Sequence, residues 1–583
     1  MYKTMTTSSF LKEVQLTKDL PTFADIETDG LYINCSLIQL RQAGLAYMVT
    51  TTSTEDVERM KNYMQDLHLV WYNASYDLGT LNFKVTPKTD DLFYAIKIAY
   101  PAIQQFSLDN VVSYLGYQDL YEGLDKKALQ KAGFIRNAYL SQAQLRYAAA
   151  DVEALERIWN LPKIQKVIES NLAYKLGIYA LEEAMVWQQN GLNLLPDVVE
   201  TYYADTLKLV DSTWAKLPTG LNPRSPKQVK ELLSTDSSDK ATLIRLAIND
   251  GNEIAEYILA ARKASNSLSK LSKFRGFDHM LGRFSPMGTS TSRWACKGGD
   301  ISNGTNLQNY SRDFKGVFGV LPGSGEKLVT ADYSTLEIRI ACAIMGDDNM
   351  YKALMEGADI HKYTASLIFN KPLADITGRE RSNSKVANFG FLYAMSAKTF
   401  VDYAFDLYGL KLTLQESKEL RNKWLKAYPA VANYHDWVGA GLRKHNFITS
   451  TALGYRMKPR MYTDGVNAAT QGTGAECGRL AIHLMVKKDK RTLQVLRNFL
   501  HDAFYLICPE DEENYWADLL SSCMVEAWEE ISKSKLFKFK NIPMPVDVAT
   551  GYSMSDLVDG WEGGGQALSA TEMREQMEEN TNE

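Results

Sequence analysis

The chain has 583 residues, enough for three or four compact units at about 100–200 residues each. Hydrophobic residues make up 45% and charged residues 23%, which excludes wholesale disorder, and no apolar run approaches the ~20 residues that span a bilayer. The 65 basic and 70 acidic residues leave a net charge of −5, without the basic surplus of a bulk nucleic-acid binder.

Residues 21–100 alternate strand-like and turn-like segments: "TFADIE" reads as a strand, "LYINCSLIQL" and "LAYMVT" as a hairpin around 42–44, and "LHLVWYN" as another strand. From 107 to 160 apolar residues recur at spacings of three and four, so this stretch is predicted helical and the first 170 residues α/β. Residues 174–280 read as helical, with breaks at Pro196, 220–226 and 235–239. Strand character returns at 327–331 and 499–508, with a long helical region between, and the Gly-rich then acidic last 20-odd residues read as disordered. Six cysteines (35, 296, 342, 477, 508 and 523) form no C-x-x-C pair, which argues against a zinc site or a disulfide framework and fits a reducing compartment. No basic segment followed by an apolar core opens the chain, so the protein is expected to be soluble and cytoplasmic, without signal peptide or membrane contact.

Three segments of the first unit each offer a carboxylate. Asp25 and Glu27 lie two apart on a predicted strand and leave one face; Asp77 follows another strand; Tyr147 and Asp151 lie one helical turn apart. Two hard divalent ions and a group that orients water need such a set, as in a two-metal phosphodiester hydrolase. D-x-E pairs are common on surfaces, but three such segments in this order are much less so. They resemble the three motifs (D-x-E, N-x-x-x-D, Y-x-x-x-D) of the DnaQ-like 3′–5′ proofreading exonucleases, with Asn73 before Asp77 and Tyr147 before Asp151.

In the second half, Arg381, Lys385, Phe389 and Tyr393 are each four apart and form one slowly rotating helical stripe. Two cations followed by aromatics suit a triphosphate below a sugar and base. Asp332 ends an apolar strand, and "FLHDAFYLI" is predicted to hold His501 and Asp502 inside a second one. An aspartate in a strand interior is costly to bury alone, so two on neighbouring strands would share divalent ions.

"DYSTLEIRI", "RSNSKVANFGFLY" and "HDA" resemble motifs A, B and C of the family A DNA polymerases, and "TSTSRWACKG…TNLQN", "DIHKYTA", "YPAVANY", "TALGYRMKPR" and "NAATQGTGAE" resemble the family's connecting segments. The resemblance implies an RNase H-like α/β exonuclease domain with a mixed sheet, followed by an α+β right-hand polymerase of palm, fingers and thumb. The implied bounds are exonuclease 1–173, thumb 174–280, palm 281–345, fingers 346–440, palm again 441–560, and an acidic tail 561–583. It further implies that Asp332, Asp502 and the Tyr333 carbonyl hold two Mg²⁺, that Asp25, Glu27, Asp77 and Asp151 hold two more, and that Mn²⁺ can substitute. Arg381, Lys385 and His361 would then meet the dNTP triphosphate, Phe389 the sugar and base, and Tyr393 with Glu337 would exclude a 2′-hydroxyl. Arg293, Asn467, Gln471 and His501 would contact primer and template, and the basic run 262–275, with Lys270 and Lys273, would grip phosphates as part of the thumb. Read alone, that run is a solvated helix face.

Three positions depart from the family pattern: Thr335 stands for the usual Gln of D-Y-S-Q, Ser292 for the Gly of T-x-T-G-R, and Ala503 for the Glu of H-D-E. Only 24 residues precede Asp25, so no 5′-nuclease domain is expected there, and a monomeric phage replicase is the expected type, with helicase-primase and single-strand-binding protein as partners. A single-subunit RNA polymerase is the nearest rival; Glu337 and the exonuclease carboxylates count against it. A non-catalytic relative and a stand-alone exonuclease are countered by the complete ligand sets.

Overall fold

Buried Phe23, Ile26, Leu37, Ile38, Leu40, Val49, Leu69 and Val70 form runs too continuous for a sheet with one wet face, so both faces must be covered. In the computed structural model, which describes residues 1–29, 34–86, 88–299, 302–310, 312–408, 410–444, 446–500 and 502–558, they lie in a six-stranded sheet. Its strands are β1 (Tyr2–Thr6), β2 (Pro21–Asp29), β3 (Asn34–Gln42), β4 (Leu45–Thr50), β5 (His68–Trp71) and β6 (Thr89–Asp91), in the order β1-β4-β3-β2-β5-β6. β2, β3 and β4 pair antiparallel, while β1 joins β4, β5 joins β2 and β6 joins β5 in parallel, so the sheet is mixed. The β3–β4 hairpin turns through Ala43 (φ 50°) and Gly44 (φ 83°), the two left-handed residues that a tight primed turn demands. Helices α1 (Ser75–Leu81), α2 (Leu92–Ala99) and α3 (Gln142–Trp159) flank it. The edge strand β1 and the helix Thr7–Glu13 that follows it were not expected from the sequence pattern.

Helix α4 (Leu172–Asn190) leads out of this unit, and its buried face joins one apolar core that runs on into the second half of the chain. α5 (Pro196–Ala215) and α6 (Glu253–Leu271), with the shorter helices Pro226–Leu233 and Lys240–Asn249, enclose a separate core of Leu217, Val229, Leu243, Ala247, Ala255, Ile258 and Ala261. The predicted breaks mark real helix starts. Pro196 and Pro226 occupy the first helical turn, where no N–H bond is lost, and Asp239 caps the helix that follows it; the start of α6, capped by Asn252, was not among the expected breaks.

A second, all-antiparallel sheet contains β7 (Glu326–Tyr333), β8 (Leu496–Leu500), β9 (Ala503–Pro509) and β10 (Val546–Gly551), in the order β8-β9-β7-β10. The helix Glu513–Ser532 packs on this sheet, α7 (Leu336–Met345) and α10 (Tyr462–Lys488) pack on each other with α10 also against Glu513–Ser532, and α8 (Ile360–Phe369) packs on α9 (Gly378–Leu392). One expectation is corrected here. The apolar run 499–508 is not a single strand but two, closing on the pair Leu500–Ala503, which leaves Asp502 at the turn rather than in a strand interior. Both strands are buried, so their apolar residues run together in sequence and hide the turn. The six cysteines are free and buried, and among the described residues no helix is long and apolar enough to cross a membrane. The predicted tail 561–583 lies outside the described residues.

Two candidate active sites

Asp25 and Glu27 stand on β2 opposite Gln39 and Leu37 of β3, and a bulge follows directly after Glu27. Bulges beside active sites re-aim side chains. Carboxylate oxygens of Asp25, Glu27 and Asp151 all lie within 4.8 Å of one another. Asp77, on the first turn of α1, is buried, and its Oδ1 has no hydrogen-bond partner. Burial first, then the negative charge of Asp25, holds the carboxyls of Glu27, Asp77 and Asp151 well above the ordinary range. Four acids that resist joint ionisation, one with an orphaned oxygen, are a donor set suited to hard cations.

Two supporting residues carry no motif in sequence. Tyr121 donates from its hydroxyl to Asp151 Oδ1 at 2.5 Å, and its ring lies 6.0 Å from that of Tyr147. Asp91 accepts the N–H groups of Asn73 and Ala74, each at 2.9 Å, and so fixes the turn that launches α1 and Asp77. Asn73 has φ 62°, a left-handed conformation that asparagine tolerates better than most residues.

In the second sheet Asp332, on the central strand β7, is flanked by Ala503 of β9 and Asp547 of β10. Asp502 precedes Ala503, and its backbone carbonyl accepts the Tyr333 N–H at 3.4 Å. Burial, with the charges of Glu337 and Asp332 adding to it, raises the Asp502 carboxyl. Tyr333 anchors the strand from behind, donating its phenol to Met524 O at 2.9 Å. Thr335 has φ 53° between β7 and α7, an unusual state for a β-branched residue, and its buried Oγ1 has no hydrogen-bond partner.

The predicted stripe is real. Arg381, Lys385 and Phe389 of α9 and Tyr393 at its end are half-exposed, whereas Val386, Ala387, Asn388, Phe391 and Leu392 between them are buried. Arg381 donates from Nε to Asp359 Oδ2 at 2.5 Å. Glu337 receives both the Tyr393 hydroxyl and the Arg293 guanidinium, so Arg293 belongs to this cluster. His361, buried 5.8 Å from the Phe389 ring, has its pKa pushed down to about 4 by burial, with Lys385 and Arg381 adding to the effect. Asn388 donates from Nδ2 to His361 Nδ1 at 2.9 Å, and its Oδ1 accepts from Trp424 Nε1 at 2.7 Å.

The residues expected on DNA are less concentrated. Asn467 and Gln471 lie half-buried, one turn apart on α10, and Asn467 Oδ1 has no hydrogen-bond partner. Lys270 and Lys273 are exposed. Two arginines of the same basic run are engaged within the fold: Arg262 donates to Pro223 O and Ser238 O, and Arg275 pairs with Glu200 at 2.8 Å. His501 lies outside the described residues.

The sequence profile of DNA polymerase family A matches residues 199–556. The chain belongs to that family. A 3′–5′ exonuclease profile matches residues 2–169, so this family A member is a DNA-directed DNA polymerase with a 3′–5′ exonuclease domain, and the RNA polymerase rival falls away. It is 27% identical over 557 residues to DNA polymerase I of Aquifex aeolicus, covering 88% of this chain and 93% of that protein. It is 24% identical to DNA polymerase I of Treponema pallidum, covering 71% of this chain but 43% of that protein. Among solved structures it resembles "POL domain of Pol1 from M. smegmatis complex with DNA primer-template and dNTP", with TM-score 0.72 and 20% identity over 94% of this chain and 97% of that one, a likeness of fold.

Proposed function

We propose that this polymerase extends primers by two-ion nucleotidyl transfer and removes misincorporated termini by hydrolysis at a second two-ion site. The observation that carries the reading is the pair of separate acidic centres, each gathering carboxylates that burial and like charge hold back from ionising. Two Mg²⁺ at each centre, or Mn²⁺ in their place, suit such oxygen donors. When bound, the ions acidify the attacking hydroxyl or water and stabilise the leaving oxygen.

Asp332, Asp502 and the Tyr333 carbonyl hold one pair. Lys385, Arg381 and the neutral His361 neutralise and orient the triphosphate, Phe389 stacks beside the sugar and base, and Tyr393 with Glu337 closes the 2′ side. The primer 3′-oxygen, its proton lost to solvent, attacks the α-phosphorus while the bond to pyrophosphate breaks. At the other centre Asp25, Glu27, Asp77 and Asp151 hold the second pair, and Tyr147 orients the attacking water. Arg293, Asn467, Gln471 and His501 contact the primer terminus and template, and Lys270 and Lys273 grip phosphates. The chain divides as exonuclease 1–173, thumb 174–280, palm 281–345, fingers 346–440 and palm 441–560, acting as a cytoplasmic monomer beside a helicase-primase and a single-strand-binding protein. A bacterial relative is matched over 93% of its length, so a cellular polymerase shares this layout.

Primer extension and digestion separate the two centres. Asp25→Ala with Glu27→Ala abolishes 3′–5′ degradation while extension continues, and Asp332→Ala stops extension while single-stranded primer is still digested. Loss of extension in a folded Asp25→Ala/Glu27→Ala protein would sink the two-site reading.

A further inference from the structure

Lys97 lies on α2, in the exonuclease unit, yet is 3% exposed and has no ion-pair partner among the described residues. Its ammonium points out of that unit. It donates to the carbonyl oxygens of Met287 and Thr289, the latter at 2.8 Å, and lies 5.1 Å from the Phe93 ring, 5.8 Å from that of Phe106 and 6.0 Å from that of Tyr455. Burying a lysine without a carboxylate is costly, and an apolar side chain would fill the same space without that cost. Burial, with Arg479 adding to it, pushes the Lys97 pKa down to about 7, and what the amine adds in either protonation state is a donor that fixes two carbonyls of the polymerase half.

Those carbonyls belong to the segment 286–293, which crosses from the unit boundary to Arg293. The buried Arg479 of α10 grips its other parts, donating to Pro286 O at 3.1 Å, Ser292 O at 2.5 Å and Ser292 Oγ at 3.3 Å. Tyr455 donates to Ser290 O at 3.1 Å. Ser292, where the family pattern has glycine, is left-handed at φ 59°, and the hydroxyl held by Arg479 occupies the place a glycine would leave open. Within the segment the Arg293 N–H donates to Thr289 Oγ1 at 2.9 Å, and the Thr289 N–H returns a bond to Arg293 O at 3.2 Å. Arg293 then donates to Glu337, which also receives Tyr393. The α4 helix presses on the same segment: a Cβ on Gly177 would stand 2.4 Å from Met287 Sδ, so a larger residue there would push the Met287 side chain aside.

We propose that Lys97 is a positioning residue of the polymerase site, through which the exonuclease unit sets Arg293 against Glu337 and Tyr393 and thereby sharpens rejection of ribonucleotides. The inference rests on the reading that Glu337 and Tyr393 face the sugar of the incoming nucleotide. Single-turnover incorporation of dNTP and rNTP by the full chain tests it, on primers whose terminal phosphorothioate linkage resists 3′–5′ hydrolysis. Lys97→Met should lower the dNTP-over-rNTP selectivity by roughly three- to thirtyfold, as mutations along coupling networks do, and Lys97→Arg should retain most of it. A folded Lys97→Met protein with unchanged selectivity overturns the proposal. If Lys97→Met does not fold, Thr289→Val, which removes the oxygen holding the Arg293 N–H, carries the test: lowered selectivity supports the linkage and unchanged selectivity overturns it. Glu337→Ala separates the two readings. If it leaves selectivity unchanged, the sugar-wall reading has failed; if it lowers selectivity while Lys97→Met does not, only the role of Lys97 has failed.

Discussion

The His361 ring is pinned by an amide rather than by a carboxylate, and this fixes which nitrogen carries the proton. Trp424 Nε1–H can only donate, so it claims Asn388 Oδ1 and turns Nδ2 toward the imidazole. Nδ1 must then accept, and the proton of the neutral ring sits on Nε2. The ring is neutral because burial lowers its pKa from 6.5 to about 4. A depressed histidine pKa means that the unfolded chain takes up a proton before the native one, so this group costs stability as pH falls from about 6.5 toward 4. Between pH 6.5 and 9 the dNTP dissociation constant should show no histidine step. In Asn388→Asp the new carboxylate accepts from Nδ1–H, moves the proton off the working face and raises the pKa, so dNTP binding should weaken and gain a titration between pH 6 and 8. Nitrogen-15 shifts of the ring report the tautomer directly; an Nε2 that is unprotonated in the wild type would refute the assignment.

At the scale of elements, β7 carries Asp332 between two neighbours on the same face, Ala503 on β9 and Asp547 on β10. Residues directly paired across antiparallel strands sit with Cβ atoms about 4.5–5.5 Å apart, so both flanks lie within reach of whatever Asp332 binds. The family pattern has a glutamate where Ala503 stands, and Asp547 offers a carboxylate on the opposite flank. Asp547→Asn should raise the Mg²⁺ needed for half-maximal extension by about 10–100-fold, the usual cost of losing an outer-shell partner, and Ala503→Glu should restore it in the double variant. Mn²⁺ binding followed by calorimetry should move in parallel. An unchanged Mg²⁺ requirement in Asp547→Asn would leave the missing glutamate without a substitute. The pairing of these strands also marks where sequence reading stops. The α9 stripe, the D-x-E strand and most of the helical stretch 174–280 were legible because each is a local pattern with period two or four, and proline or an N-cap punctuates it; the last helix of that stretch ends at Leu271, short of the expected bound. The β8–β9 turn was not, because it lacks Gly, Asn or Pro between two buried strands. Tyr121, Asp91, Asn388, Asp359, Lys97 and Arg479 were missed for a different reason: each acts on a partner 17 or more residues away, and a single polar residue in an apolar stretch looks like a satisfied core residue until the chain is folded.

Over the whole molecule, one continuous apolar core ties the exonuclease sheet to the polymerase sheet, so the acidic centre on β2 is held in place by packing that does not depend on its own charges. That centre is a built-in cost. Burial and mutual repulsion raise Glu27, Asp77 and Asp151 above the ordinary carboxylate range, so the native state binds more protons than the unfolded chain there. A raised carboxylate pKa contributes stability at low pH that is lost as pH rises through the shifted values, because the native site must then carry charges that the unfolded chain carries more easily. Divalent cations reverse this by binding the ionised native site alone. Without metal, the melting temperature should therefore be lower at pH 8 than it would be without these acids, and Mg²⁺ or Mn²⁺ should raise it more at pH 8 than at pH 5. Other buried groups titrate too, Glu183 and Glu476 among them, so the comparison must be with a variant rather than with an absolute curve. Asp25→Asn with Glu27→Gln keeps the side-chain shapes and removes two of the charges. It should melt higher than the wild type in chelator at pH 8, by about 1 °C for each kcal/mol of repulsion removed from a chain of 583 residues unfolding as one, and should lose most of the cation-dependent rise. At pH 5 the two proteins should melt closer together. If the Asp25→Asn/Glu27→Gln protein melts lower than the wild type in chelator at pH 8, the four acids are stabilising one another through shared protons or hydrogen bonds, and like-charge repulsion does not govern the site.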